Sequence, residues 1–297
     1  MQRFQRTLLS WFAANARDFP WRRTRDPYRT LVAEVMLQQT QTARVVPIYA
    51  EFLRRFPTVR SLAASRPSEV IRAWRGLGYN RRAIALRSAA HRVVDEHRGR
   101  FPRDITSLGT LPGVGPYTAS AVACFAHDAQ VPVVDTNVRR VLSRVVQGVD
   151  SGEVAPASLD EAAAAWLPPG RAYEWNQALM DLGATICRAR APSCASCPVE
   201  KLCAYSRSGR RPERQRRPRE KFAGSRRHVR GVALDVLRSS PRGVTLSLLA
   251  SEIESKAGHA AASGLAGILA ALESDGLLAL SPAARKGSPR GRVTLPG

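Results

Sequence analysis

A group of four cysteines late in the sequence constrains this chain more than any other feature. Six, two and five residues separate Cys187, Cys194, Cys197 and Cys203. Thiols this close along the chain can wrap one metal centre, and ligation can then order a loop of little regular structure. Zinc ribbons usually separate two Cys-x2-Cys pairs by about 15 to 20 residues, so the spacing here favours a bulkier iron-sulfur cluster but leaves zinc open. Four unliganded thiols so close together would be prone to oxidation, which argues against that alternative.

Helical periodicity dominates the first 205 residues. Apolar side chains recur at spacings of three and four, strand alternation is nearly absent, and short Pro/Gly breaks separate the periodic segments. The pattern predicts an all-α domain of many short helices over residues 1–205. The remaining cysteine, Cys124, lies in an apolar run and is expected in the core of this domain.

The sequence changes character after Tyr205. Residues 206–227 are rich in arginine, have little to bury, and are interpreted as a basic linker. Three helices and a hairpin are predicted in residues 228–297. The expected helices lie around residues 228–237, 246–253 and 265–272, and the expected hairpin pairs residues 277–280 with residues 292–295. This order predicts a small module that resembles a winged helix.

The charge of the chain points to a polyanionic partner. The formal net charge is +22 and the isoelectric point is near 11.3, more than solubility requires. Nucleic acid is the first candidate, although a high arginine content can also produce a basic surface that binds nothing. No stretch reaches the about 18 apolar residues of a membrane span, and the N-terminus lacks a signal-peptide pattern. The chain is therefore expected to be soluble and cytoplasmic.

Two glycine-containing turns are candidates for DNA contact. Residues 111–119 read Leu-Pro-Gly-Val-Gly-Pro-Tyr-Thr-Ala, which is typical of a helix-hairpin-helix. In that motif the backbone N–H groups, here of Gly113, Val114 and Gly115, bind a phosphate without reading a base. Such turns also occur simply because they let two helices pack closely. Tyr79 follows Gly-Leu-Gly, and an aromatic ring on such a turn can wedge between bases or plug a helix junction.

Two carboxylates stand out among the acidic residues. Glu34 lies in a segment predicted as one helix from Tyr28 to Gln41, where Gln38 and Gln41 follow it at i+4 and i+7 on the same face. Asp135 precedes a helical run in Val-Val-Asp-Thr-Asn-Val. Taken alone, the first pattern also describes a solvated helix face, and the second also describes a helix N-cap.

Considered together, these segments resemble the endonuclease III superfamily of helix-hairpin-helix DNA glycosylases, and within it the adenine-specific MutY branch. The shared motifs are Glu34-Val-Met-Leu-Gln-Gln-Thr-Gln41, Gly76-Leu-Gly-Tyr79, Leu111-Pro-Gly-Val-Gly115, Asp135-Thr-Asn137 and the cysteine loop. The resemblance implies a two-lobed, all-α fold that binds double-stranded DNA in its cleft. It implies a six-helix lobe over about residues 25–130. The second lobe would comprise about residues 1–24 and 131–205, with a [4Fe-4S] cluster on the four cysteines.

The same resemblance assigns catalytic roles. Glu34 would be the acid, its pKa raised in a dry pocket, because adenine leaves poorly until a ring nitrogen carries a proton. Asp135 would stabilise the positive charge that develops on the sugar, as in two-carboxylate glycoside hydrolysis. Tyr117 would support the sugar or the carboxylates by a hydrogen bond, and Asn137 would orient the site.

Base excision requires the adenosine to leave the helical stack. The resemblance implies that Gln38 fills the gap and that Tyr79 intercalates beside the opposite purine, with Gln41 as a further DNA contact. The opposite base in this branch is 8-oxoguanine or guanine. The expected substrate is therefore duplex DNA with a mispaired adenine, bound by a monomer in the nucleoid.

The lack of lysine before Lys201 bears on whether the glycosylase is monofunctional or bifunctional. Bifunctional enzymes form a Schiff base through an amine, usually that of lysine. No lysine precedes Lys201, and Tyr117 occupies the position where lyase members of the superfamily carry theirs. A monofunctional hydrolase is predicted. Two alternatives stay open: a glycosylase for thymine or uracil opposite guanine, which also has tyrosine here, and a DNA-binding relative without activity. The Glu34 motif favours adenine.

Two departures from the family pattern bear on specificity. Many adenine glycosylases carry a C-terminal domain, related to the Nudix hydrolases, that inspects 8-oxoguanine. Residues 204–297 contain no recognisable counterpart, which leaves the preference for 8-oxoguanine over guanine open. Thr136 replaces a glycine found in many members, which leaves the tightness of that turn open. The basic linker and the C-terminal module are expected to add phosphate contacts that weaken as salt rises.

Overall fold

The computed structural model of the chain describes residues 1–210, 222–258 and 264–297, so most of the predicted linker lies outside the described residues. Residues 1–210 contain no strand, as predicted for an all-α domain. No helix in the described ranges is long and apolar enough to cross a membrane. The α-helices are α1 (Gln2–Asn15), α2 (Pro27–Leu37), α3 (Thr42–Arg55), α4 (Val59–Ala63), α5 (Pro67–Ala73), α6 (Arg81–His97), α7 (Ile105–Gly109), α8 (Pro116–His127), α9 (Thr136–Leu142), α10 (Pro156–Ala165), α11 (Ala172–Thr185), α12 (Ala204–Arg207), α13 (Arg226–Arg238), α14 (Leu246–Ala257), α15 (Leu265–Ser274) and α16 (Pro282–Arg285).

A small antiparallel sheet lies in the C-terminal part of the chain. Its strands are β1 (Val244–Thr245), β2 (Ala279–Leu280) and β3 (Arg292–Thr294), with β3 in the centre. Val293 of β3 is opposite Val244 on one side and Leu280 on the other. The pairing of β2 with β3 agrees with the predicted hairpin, whereas β1 is too short to show a period in the sequence. The elements of this part of the chain follow the order α13, β1, α14, α15, β2, α16 and β3, so a short helix lies in the connection between β2 and β3. Residues 222–258 and 264–297 are named the C-terminal module below.

The described residues form two compact units, each of them discontinuous in sequence. The first unit contains residues 1–31, 102–110 and 114–210. The second unit contains residues 32–101, 111–113, 222–258 and 264–297. The C-terminal module therefore belongs to the same unit as helices α3 to α6.

The N-terminal helix α1 is part of the core of the first unit. Phe4, Leu8 and Phe12 recur at a spacing of four on its buried face, and they pack in one cluster with Leu142 of α9 and Leu179 of α11. Fully burying one such side chain stabilises the fold by about 1.5–3 kcal/mol. The packing brings α9 and α11 together, and these helices carry or flank several candidate residues.

The C-terminal module shares an apolar core with α5 in the second unit. Ile71 of α5 belongs to the same buried cluster as Leu234 and Leu237 of α13. Arg238, at the end of α13, donates from Nε to the Ile71 carbonyl oxygen at 2.9 Å and from Nη2 to Asn80 Oδ1 at 2.6 Å. Apolar burial and a buried, hydrogen-bonded cation therefore fix α13 beside the residues that precede α6.

Candidate functional site

Glu34 lies near the C-terminal end of α2, on a buried side of the helix. Tyr28, Leu31 and Val35 are buried on the same helix, and Glu34 is only 6% exposed. A carboxyl group in such a place is costly to ionise unless partners compensate for the lost water. The alternative of a solvated helix face is therefore wrong for Glu34.

The predicted helix from Tyr28 to Gln41 is wrong at its C-terminal end. Helix α2 ends at Leu37, Gln39 adopts a left-handed φ of 54°, and Gln41 is the N-cap of α3. Gln38 and Gln41 therefore lie on a connection between two helices and not on a helix face with the acidic residue. The apolar spacing alone does not reveal this break, because the side chain that satisfies the carbonyl oxygens there lies on a distant helix.

Arg82, on α6, satisfies the carbonyl groups that the early end of α2 exposes. Its Nη1 donates to the carbonyl oxygens of Val35 and Gln38 at 2.7 and 2.6 Å. It also donates from Nη2 to the Gly78 carbonyl at 3.2 Å and from Nε to the Tyr79 carbonyl at 3.3 Å. Burial lowers the pKa of Arg82 to about 10, which leaves it a cation at neutral pH. The guanidinium group of Arg82 thus donates hydrogen bonds to both turns, although Arg82 belongs to none of the sequence motifs.

The turn from Gly76 to Tyr79 exposes an aromatic ring. Gly76 and Gly78 have φ angles of 91° and 67°, which glycine adopts without a steric penalty. Tyr79 itself has a φ of 44° and is 50% exposed. A non-glycine residue with such a φ is uncommon and depends on surrounding contacts to hold it. The exposure of the Tyr79 ring argues against the alternative that this ring only fills a junction between helices.

The hairpin between α7 and α8 has the features of an anion-binding turn. Gly113 has a φ of 75°, and a Cβ there would lie 2.7 Å from the Cβ of Ala85, so glycine is needed for conformation and for close approach. Gly115 is the N-cap of α8, and Pro116 follows at its first position. The Val114 side chain is buried. Within the described residues, none of the N–H groups at positions 113–115 donates a hydrogen bond, which leaves them available to a phosphate.

Asp135 is the N-cap of α9, one of the two roles that the sequence allows. Its Oδ1 accepts a hydrogen bond from the Val138 N–H at 2.7 Å, and its Oδ2 accepts one from Asn137 Nδ2 at 3.0 Å. Burial raises the pKa of Asp135 above its ordinary value, and these hydrogen bonds act in the opposite direction. Thr136 has no left-handed φ, so this turn does not require glycine. Glu34 belongs to the second unit and Asp135 to the first.

A chain of hydrogen bonds connects Asp135 with the cysteine loop. Asn137 donates to Asp135 and accepts at Oδ1 from Arg140 Nη2 at 2.7 Å. Arg140 also donates to the carbonyl oxygens of Gly183 at 2.7 Å and Cys187 at 2.8 Å. A Cβ on Gly183 would lie 2.7 Å from the Cβ of Asn137, so α11 can approach α9 this closely only with glycine. Neither Arg140 nor Gly183 belongs to a local motif, so the sequence alone does not indicate their roles.

The four cysteines of the loop line a single pocket in the first unit, together with apolar side chains from α11 and its neighbours. Arg144 donates from Nη1 to Cys187 Sγ at 3.5 Å and from Nη2 to the Ala189 carbonyl at 3.0 Å. No three His, Cys, Asp or Glu side chains in the described part of the chain are arranged to hold a single metal ion.

Three of the predicted DNA-contact residues are brought together in the second unit. Gln38, Gln41 and Tyr79 line one cleft in the second unit. Tyr117 is half-buried in the first turn of α8 and packs against a small apolar cluster that contains Cys124. Cys124 is fully buried, as expected for a core residue.

Similar proteins include DNA glycosylases of more than one specificity. Residues 32–165 match the family described as HhH-GPD superfamily base excision DNA repair protein. An adenine DNA glycosylase of Mycolicibacterium smegmatis is 46% identical over 82% of this chain and 83% of that protein. A thymine/uracil-DNA glycosylase of Methanothermobacter thermautotrophicus is 36% identical over 68% of this chain and 92% of that protein. The solved structure of a thermostable thymine-DNA glycosylase has a TM-score of 0.66 and 35% identity, and covers 70% of this chain and 96% of that chain.

Proposed function

This chain belongs to the HhH-GPD superfamily of base excision DNA repair proteins, and on that premise we propose that it is an adenine DNA glycosylase. Its substrate is adenine paired with 8-oxoguanine or guanine in duplex DNA, and its reaction is hydrolysis of the N-glycosidic bond. The similarity to the Mycolicibacterium smegmatis adenine DNA glycosylase carries the proposal, since it is greater in identity and in coverage of this chain than the similarity to the thymine/uracil enzyme.

Glu34 is the acid in the proposed mechanism. Adenine is a poor leaving group until a ring nitrogen is protonated, so the site needs a carboxyl group that keeps its proton near neutral pH. The burial of Glu34 on α2 supports this role, because a buried carboxyl group is costly to ionise. Its proton passes to the adenine ring as the bond to the sugar breaks.

Asp135 stabilises the sugar cation that bond cleavage produces. An ionised carboxylate next to the developing charge lowers the barrier most when it is already held in place. The hydrogen bonds from Val138 and Asn137 support this role, because they fix the carboxylate and favour its ionised form against the effect of burial. Water then adds to the sugar and leaves an abasic site. Tyr117 supports the sugar by a hydrogen bond, and Asn137 orients Asp135.

The enzyme is proposed to be monofunctional. A lyase would need an amine nucleophile, and the sequence has no lysine before Lys201. Tyr117, at the position of the lyase lysine in relatives, cannot form a Schiff base. The product is therefore an intact strand with an abasic site.

DNA contacts in this proposal come from three turns. The N–H groups of Gly113, Val114 and Gly115 bind one phosphate, which positions the duplex without reading its sequence. Gln38 fills the space that the extruded adenosine leaves, with Gln41 beside it, and Tyr79 intercalates next to the opposite purine. The protein acts on DNA in the nucleoid as a monomer.

A [4Fe-4S] cluster on Cys187, Cys194, Cys197 and Cys203 is the proposed cofactor. Four thiols of one loop that line a single, largely apolar pocket are a donor set that suits such a cluster. The cluster would supply cross-links to a loop with little regular structure. Purified protein should contain iron and acid-labile sulfide and show broad visible absorption, all reduced in Cys197→Ser. Stoichiometric zinc in place of iron would overturn this assignment.

The proposed function is tested with duplexes that contain A:8-oxoG, A:G, T:G or U:G, with and without alkali after incubation. Abasic sites are expected only in the two adenine duplexes, and strand breaks only after alkali. Glu34→Gln should abolish excision. Efficient removal of thymine or uracil would favour the second candidate function, which the 36% identity to a thymine/uracil glycosylase supports. Strand breaks without alkali would contradict the monofunctional assignment, and full activity of Glu34→Gln would reject the acid.

A further inference from the structure

A large cleft lies entirely within the second unit, between the C-terminal module and the turns that carry Gln38 and Tyr79. Its volume is about 1100 Å³. One wall is formed by residues 38–41 and 76–82, and the other by helix α13 with Phe222. The proposed function assigns roles only to the first wall, so the second wall has no role yet.

The cleft is strongly cationic. Among the described residues, six arginines line it and Asp235 is its one acidic lining residue. Arg230 is neutralised by Asp275 at 2.5 Å. By contrast, Arg44 and Arg227 are exposed, and neither has an acidic partner within the described residues. The two unpaired cations favour an anionic occupant.

Aromatic rings flank one of these unpaired cations. Tyr79 is 50% exposed and Phe222 is 52% exposed, two of the few large apolar side chains so open to solvent. Arg227 donates from Nη1 to Tyr79 Oη at 3.4 Å, and its guanidinium carbon lies 5.2 Å from the centre of the Phe222 ring. Exposed aromatic rings beside unpaired arginines are typical of surfaces that stack on bases and pair with phosphates.

The C-terminal module is held firmly enough to serve as a wall. Arg238 links α13 to Asn80, the residue after Tyr79. At the opposite end of the chain, the Pro296 carbonyl accepts a hydrogen bond from the Ser68 N–H at 3.1 Å. Together with the shared core around Ile71, these contacts fix Arg227 and Phe222 next to the turn of Tyr79.

The distribution of charge within the module favours α13 over α15 as the helix that contacts an anion. The third helix of a winged helix is the usual element for DNA recognition, but α15 has no lysine or arginine. Its one charged side chain, Glu273, pairs with Arg285 at 2.9 Å. Helix α13, in contrast, carries four arginines, and three of them, Arg227, Arg230 and Arg238, line the cleft.

We propose that this cleft binds the DNA strand that carries the base opposite the adenine, with Arg227 on a phosphate and Phe222 stacked on a base of that strand. The choice of strand rests on the proposed function, because Tyr79 is the residue assigned to the opposite purine. The winged helix thus uses its first helix, and not its third, to hold DNA. It extends the duplex-binding surface.

The first test compares Arg227→Ala and Phe222→Ala with Lys286→Ala, which removes one exposed positive charge outside the cleft. Binding to an A:G duplex is measured by fluorescence anisotropy at several salt concentrations. Phe222→Ala should raise Kd about fivefold to a hundredfold, as loss of one stacked base does. Arg227→Ala should also weaken binding and lower the salt slope by about one. Lys286→Ala should do neither, and all three variants should melt like the wild type.

The second test identifies the strand. Uncharged methylphosphonate linkages replace the phosphates near the mispair in either the adenine strand or the opposite strand. With the opposite strand neutralised, wild type and Arg227→Ala should bind equally. With the adenine strand neutralised, the difference between them should persist. The reverse pattern would overturn the assignment of the strand.

Failure of this inference can be distinguished from failure of the proposed function. If the wild type excises adenine but Arg227→Ala and Phe222→Ala bind DNA like Lys286→Ala, the cleft proposal is overturned and the enzymatic proposal stands. If the wild type leaves adenine intact while the two cleft variants bind DNA more weakly than Lys286→Ala, the cleft remains a DNA site and the enzymatic proposal fails.

Discussion

The turn that carries Asp135 and the turns that carry Gln38 and Tyr79 are fixed by different means. Asp135 caps its own helix through the Val138 N–H, three residues along the chain. Gln38 and Tyr79 are far apart in sequence and are joined through one guanidinium, that of Arg82. The first arrangement is local and has several supports, whereas in the second the hydrogen-bonded link between the two turns is made by one side chain. A single substitution should therefore disturb the second arrangement more easily than the first.

Among substitutions in these two arrangements, the largest effect on activity is expected from Asp135→Asn, which removes the charge and keeps a hydrogen-bond acceptor for the helix cap. Excision in single-turnover assays should fall roughly 10²–10⁴-fold, since the variant cannot stabilise the sugar cation electrostatically. Duplex binding should be retained because the turn keeps its support. A variant that also loses DNA binding would show that the charge holds the turn in place.

The same variant should be more stable than the wild type near neutral pH. Burial raises the folded-state pKa of Asp135, so its protonated form is the one that the fold favours. The protonated Asp135 side chain therefore stabilises the wild-type fold at low pH, and this stabilisation is lost as pH rises through the folded-state pKa. Thermal melting should therefore show a higher Tm for Asp135→Asn at about pH 8, and the gain should shrink towards about pH 4. A lower Tm at the higher pH would contradict the cause given for the shift.

Arg82→Met tests the arrangement that depends on one side chain. Several carbonyl groups would lose a charged donor, at a cost of about 3 kcal/mol or more in the free energy of unfolding. Duplex affinity should fall as well, because both turns lose their common support. Denaturant unfolding and anisotropy measure the two effects. Arg82→Lys keeps the positive charge but not the planar guanidinium group with its several donors. It should recover only part of the lost stability and duplex affinity.

Arg81→Met is the matched control for that substitution. Arg81 is the neighbouring residue, largely exposed, and its ion pair with Asp275 is 3.3 Å long. Exposed pairs contribute about 0–1 kcal/mol, so this variant should unfold like the wild type. Equal destabilisation by both substitutions would mean that charge, and not the hydrogen bonds to the two turns, accounts for the effect.

A smaller effect is expected from Arg140→Gln, which cuts the connection between Asn137 and the cysteine loop. Excision should slow about tenfold, because the carboxylate loses orientation but keeps its charge and its bond to Val138. Arg139→Gln is the control, since Arg139 is adjacent and pairs with Asp160 on the surface of the unit. Equal rates for both variants would show that the cap alone orients Asp135.

The smallest effect is expected from Thr136→Gly, which restores the glycine common in the family. Thr136 is an exposed helical residue with no left-handed φ, so glycine brings no relief of strain. The change should cost under about 1 kcal/mol through helix propensity and leave excision within about twofold of the wild type. A marked gain in activity would mean that the side chain obstructs the substrate.

Local patterns predicted much of the fold and part of the candidate site. The all-α character of residues 1–205 and the hairpin between β2 and β3 follow from periodicity and turn residues, and the structure agrees with both. The predicted helix through Gln41 failed, because apolar spacing does not report where a distant arginine takes over the last carbonyl groups. Arg140 and Gly183 were missed for a related reason: their partners lie on other helices.

By itself the sequence determined the helical class, the four-cysteine loop, and the residue types that acid catalysis and phosphate binding need. These properties depend on composition and on neighbours a few residues away, which a linear pattern records. Tertiary structure alone decided that Glu34 is buried, that Arg82 joins two turns, and that Arg227 and Phe222 of the C-terminal module stand beside Tyr79. Such facts depend on which distant segments share a core, and hydrogen bonds and burial between distant segments leave no period in the sequence.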